Sequence, residues 1–135
     1  MIDNIKDDQC NILDIDLTYL KEFSNGDLDF EKEILNSIII DTDEMIEMFN
    51  YSIEIKDYQK IFSLAHSLKS LMNIMGSRKL HDYFYGIEQN KYSRIAFDFD
   101  CLKFQFTSIK ETWIISKFKI LRLIKISKNE MNVWN

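Results

Sequence analysis

Residues 97–106 read FDFDCLKFQF, and the two ways of reading them lead to different fold classes. Taken alone, the stretch alternates apolar and polar side chains like a half-buried strand. Carried on to residue 113, it shows Phe99, Leu102, Phe106, Ile109 and Trp113 recurring every three or four residues, the spacing of one helix face. A strand sustaining that pattern with no glycine or proline would be unusually long. The spacing therefore predicts a helix from about Phe97 to Ile126, and with it an all-α protein.

The rest of the chain agrees. Its 135 residues contain no proline and three glycines, too few turn residues for a sandwich or barrel. A short helix is expected over Asp16–Phe23 with Asp16 as its cap, then a break at Ser24–Gly26. A long helix follows from Leu28 to Ile53. Its stripe is Ile34, Leu35, Ile38, Met45, Ile46, Phe49 and Ile53, interrupted and bent by the polar run Asp41–Asp43. Asp57 caps the next helix and Gly76 ends it. Ser77 caps a fourth helix through Leu80, Phe84 and Ile87 to about Gln89, and a loop over 90–93 leads to the last. Four long helices with short connections imply an antiparallel four-helix bundle with a short extra N-terminal helix. Residues 1–13 are expected to be a loosely held segment, 14–127 the bundle and 128–135 a tail.

Hydrophobic residues make up 46% and charged residues 29%, which suits a globular chain. The net charge of −5 argues against a general nucleic-acid binder. Cys10 and Cys101 lie too far apart for a zinc motif or a disulfide framework, and no cofactor is implied. The opening MIDNIKDDQC has no apolar signal segment, and no apolar run spans a membrane. A cytoplasmic protein with reduced thiols is the expectation. The opening Met1 and the residues beyond 126 favour an independent protein over a segment of a larger kinase. The basic stretch KFKILRLIKISK (117–128) reads as a solvated helix end favoured by the dipole, or else as a surface for an acidic membrane or partner.

The helix over 57–75, DYQKIFSLAHSLKSLMNIM, carries the chemistry. Ile61, Ala65, Leu68, Met72 and Met75 form a stripe, widened by Leu64 and Leu71, that must face the core. His66 lies about 140° from its centre and points outward. The outer face reads Gln59, Ser63, His66, Ser70 and Asn73, with Phe62 and Ser67 beside it. These small neighbours leave room around one imidazole for a partner to approach. Imidazole, with an unperturbed pKa near 6.5, is a good nucleophile at neutral pH. Lys69, one turn on, can balance negative charge on a transferred phosphoryl group. The helix supplies no metal ligands, second base or nucleotide loop, so it can accept a phosphoryl group but cannot take one from ATP unaided. His81 has no matching carboxylate nearby and reads as a surface or packing residue. Phe97 and Phe104 are candidates for a partner surface.

AHSLKSLMNIMGSRKL (65–80) resembles the signature of histidine phosphotransfer (HPt) domains, a pattern close to AHxLKG followed by a Gly and a Leu. Ala65, His66, Leu68, Lys69, Gly76 and Leu80 stand where that pattern wants them, and Ile87 and Glu88 match a frequent apolar–acidic pair in the next helix. The resemblance covers about residues 14–92; Ser70 replaces the usual glycine. It implies that His66 is phosphorylated, without autonomous kinase activity. Its partners would be response-regulator receiver domains bearing a phospho-aspartate and a hybrid sensor histidine kinase, the whole forming a phosphorelay. The alternative is a helical-bundle adaptor that docks receiver domains through Gln59, Phe62, Ser63, Ser67, Ser70 and Asn73 without phosphotransfer.

Overall fold

The computed structural model describes residues 15–92 and 98–131, and among these every regular element is helical. In chain order they are α1 (Thr18–Ser24), α2 (Leu28–Glu54), α3 (Tyr58–Met75), α4 (Arg78–Gln89), a 3-10 turn (Asn90–Tyr92) and α5 (Phe99–Met131). The architecture is the all-α antiparallel bundle that the periodicities predict. Helix α3 packs between α2 and α4, α5 closes the bundle against α2 and α4, and α1 lies across α2 and α3. The expectations for residues 1–13 and for Cys10 and Phe97 fall outside the described residues.

Local chemistry sets most of the boundaries. Asp27, Asp57 and Asp98 each accept a bond from the backbone N–H three residues on, those of Phe30, Lys60 and Cys101, at 3.0–3.1 Å. Asp16 accepts from the backbone N–H of Thr18, only two residues on, at 3.0 Å, and Leu17, not the expected Asp16, holds the cap position of α1, which begins two residues later than expected. Ser77 holds the cap position of α4, but its side chain accepts no capping bond. Gly76 ends α3 with φ +69°. The segment before α1 crosses so closely there that a Cβ on Gly76 would overlap the Asp16 backbone carbonyl. Conformation and space both demand glycine at this crossing.

The core is one cluster with contributions from all five helices. Phe49 of α2 is fully buried at its centre, 4.6 Å from the Phe106 ring of α5 and 5.8 Å from Phe84 of α4 between centroids. The predicted stripe of α3 is buried as expected at Ile61, Leu64, Ala65, Leu68, Met72 and Met75, with Leu71 half-buried. Leu102, Phe106, Ile109 and Trp113 bury the predicted face of α5, which rules out a strand there.

One expectation is overturned. Asp41–Asp43 does not interrupt α2, which continues as helix from Leu28 to Glu54. Thr42 is buried, and Asp43 accepts from the Trp113 indole Nε1 at 2.8 Å and from Lys117 Nζ at 3.1 Å. Asp43 is satisfied by these partners on α5, which convert a local breaker signal into an interhelical tie, while the buried Thr42 hydroxyl has no hydrogen-bond partner among the described residues. No helix among the described residues is long and apolar enough to cross a membrane.

Candidate functional site

Because Ile61, Ala65 and Leu68 are anchored inward, α3 presents the opposite face, and His66 stands on it with 63% of its side chain exposed. Its ring is not loose. Nδ1 lies 2.7 Å from Oε1 of Glu88, in the last turn of α4. The other oxygen of the same carboxylate, Oε2, lies 2.7 Å from Lys69 Nζ. Glu88 is only 19% exposed, so an inward-set carboxylate ties together two side chains that are one turn apart on α3.

These contacts fix the protons. The Lys69 ammonium first, and the His66 ring second, hold the Glu88 carboxyl below the usual carboxylate range. An ionised carboxylate only accepts hydrogen bonds, so Nδ1 must be the donor. In the neutral ring the lone pair then sits on Nε2, which has no hydrogen-bond partner among the described residues. An oriented imidazole with a free Nε2 lone pair is a nucleophile. The carboxylate also stabilises the positive charge the ring acquires when Nε2 forms a bond.

Gln59, Phe62, Ser63, His66 and Ser67 line one cleft of about 570 Å³, together with Glu88 and Lys91. The structure thus brings together most of the face expected from the sequence, but not all of it. Ser70 remains exposed on α3 and its hydroxyl donates to the His66 backbone carbonyl at 3.3 Å. Asn73 lines a separate concavity of about 450 Å³ at the α3–α4 turn, with Asp16, Arg78 and His81. Lys69 does not line the His66 cleft; its ammonium sits on Glu88 and 5.6 Å from the Tyr85 ring centroid.

Two site residues escaped the sequence reading in their roles. Glu88 was legible only as half of an apolar–acidic pair, since nothing local ties it to a histidine 22 positions earlier. Lys91, a cation at the cleft's edge, carried no signal at all. His81 also needs correction: it does have a carboxylate nearby, with Nδ1 3.0 Å from Oδ1 of its neighbour Asp82. Comparison with protein-family models, curated proteins and solved structures gives no match.

Proposed function

We propose that this chain is a phosphoryl carrier in a phosphorelay, with His66 Nε2 as the acceptor atom. The observation that carries the reading is the Glu88 clamp, which holds Nδ1 as a donor and leaves Nε2 exposed and nucleophilic. The HPt-like pattern around Ala65–His66 and Lys69 supports the same chemistry.

In the proposed step, the Nε2 lone pair attacks phosphorus of a phospho-aspartate on a receiver domain. The P–O bond to the aspartate breaks, and the carboxylate leaves with the electron pair. The ring keeps its Nδ1 proton and becomes cationic, a charge that Glu88 opposes at 2.7 Å. The reverse step passes the group to a second receiver. A hybrid sensor kinase is the ultimate donor, because the step proposed here needs an already activated phosphoryl group. Lys69 steadies Glu88 and supplies positive charge one turn from the acceptor, and Lys91 adds a cation at the rim of the cleft. The cleft beside His66 gives the approaching aspartate loop space to enter.

The test is incubation with a panel of phosphorylated receiver domains. Label should pass to this chain, survive base and vanish in mild acid, as phosphohistidine does. Failure of every receiver to label the folded protein would overturn the carrier reading.

A further inference from the structure

Helix α5 is apolar on two opposite faces. Leu102, Phe106, Ile109, Trp113 and Ile120 enter the core. On the far side, about 150° round the helix, Phe104 is 82% exposed among polar neighbours, and about four turns on Phe118 is 59% exposed and flanked by exposed Ile114, Ile115 and Leu121. Large aromatic side chains left in water on the outer face of a helix are candidates for burial against a partner.

The charges on that outer face say what covers it. Phe104 and Phe118 stand seven residues before and after Glu111, and Asp100 and Arg122 eleven residues before and after it. Seven and eleven residues are close to two and three helical turns, so all five positions fall on one line along α5. Asp100, Glu111 and Arg122 are exposed. The line reads acid, aromatic, acid, aromatic, base. Laid antiparallel against itself about Glu111, it is self-complementary: each Phe104 meets Phe118, and each Asp100 meets Arg122. A parallel arrangement would instead oppose Asp100 to Asp100 and Arg122 to Arg122. A two-fold axis requires one patch to complement itself, and this patch does so.

We infer that the outer face of α5 is a homodimer interface, its occupant a second copy of this chain packed antiparallel through Phe104, Ile115, Phe118 and Leu121. The two Asp100–Arg122 pairs set the register at its ends. Glu111 falls at the axis, where two like charges meet and limit the affinity. The interface points away from the core, while the His66 face belongs to α3 and α4, so pairing leaves the clamp open. The inference does not depend on the chemistry assigned to His66.

Sedimentation equilibrium on the full chain decides the matter. A reversible dimer is expected. Phe104→Glu should render it monomeric at the same concentrations with an unchanged helical spectrum, because Phe104 contributes nothing to the core, and with the melting temperature that the wild type shows when diluted to monomer. Asp100→Arg and Arg122→Asp should each weaken dimerisation roughly tenfold, since each replaces two attractive pairs by two repulsive ones. The double reversal should restore the wild-type constant, and Glu111→Gln should strengthen it. A chain that stays monomeric to high micromolar concentration overturns the proposal. So does a dimer insensitive to Phe104→Glu, or a double reversal that remains as weak as the single ones.

Discussion

The two histidines of this protein have the same first partner and opposite settings. Nδ1 of His66 and of His81 each meets a carboxylate oxygen, at 2.7 and 3.0 Å. For His66 the ring is exposed and the carboxylate is tucked in, held from a second helix and shared with Lys69. For His81 the order is reversed: the ring is 31% exposed, and its carboxylate, on the adjacent residue, is 64% exposed. A carboxylate that moves with its own histidine cannot orient it against the rest of the fold. One fixed on another helix can, and a ring held from the inside presents its second nitrogen outward. The contrast lies in what holds the carboxylate, not in the histidine–carboxylate distance.

The largest effect expected is at the acceptor itself. His66→Gln should abolish phosphoryl transfer from receivers, while His81→Gln leaves it intact; radiolabel on each folded variant separates them. Labelling of the His66 variant, or its loss only in the His81 variant, would erase the distinction drawn between the two settings.

Next comes access. Ser70 is one turn beyond His66 on the same face, exposed and outside the cleft. A receiver that brings an aspartate to Nε2 must pass close to it, so Ser70→Trp should lower receiver affinity by about a hundredfold. It should change stability by less than about 0.5 kcal/mol, as exposed helix positions do. Ser70→Gly should retain transfer and cost up to about 1 kcal/mol. Normal binding by the Trp variant, measured by calorimetry, would move the docking face elsewhere.

The clamp should show a graded effect. Removing the carboxylate with Glu88→Ala loses a charge-assisted bond worth about 1.5–3 kcal/mol, so transfer should slow by about tenfold to a hundredfold. Lys69→Ala, which leaves the His66–Glu88 bond in place, should slow it about tenfold. The matching change at the other histidine, Asp82→Ala, should do nothing to single-turnover transfer rates. Equal slowing by the Glu88 and Asp82 variants would remove the argument from cross-helix orientation.

What the sequence made legible follows the range of the interactions. Caps act over three residues, and helical faces repeat every three or four. Asp57, Gly76, the inward stripe of α3 and the outward direction of His66 were therefore all readable. The ambiguous stretch resolved to helix from Phe99 onward because its longer period had more repeats than its shorter one. The failures are long-range. Asp43 reads as a helix breaker until Trp113 and Lys117 are known to sit opposite it, 70 and 74 positions away. Glu88 gained its role only when α4 folded back beside α3. Asp82 was missed for a different reason: it adjoins His81 in sequence, but successive helical residues point apart, so adjacency alone gave no expectation of contact.

The smallest effect expected is on the acid stability of the clamp, and its sign is set by Glu88. The folded-state pKa of that carboxyl is depressed, chiefly by the bond from Lys69 and then by that from His66. The unfolded chain therefore takes up its proton more readily than the native one, and acid favours unfolding through this group. Its stabilising contribution is complete above the ordinary glutamate value of about 4.3 and is lost as pH falls through the lower, folded value. Thermal melts of the wild type and Glu88→Gln between neutral pH and strong acid measure it directly. The melting-temperature gap should hold constant down to the ordinary carboxylate range and close only below it. In a Lys69→Ala background the main cause of the depression is gone, so the gap between chains with and without Glu88→Gln should be smaller at neutral pH and should finish closing at higher pH. A gap that stays constant into strong acid would mean that Glu88 is not held as an ion by these two neighbours. The proton assignment that leaves the lone pair on Nε2 would then lose its footing.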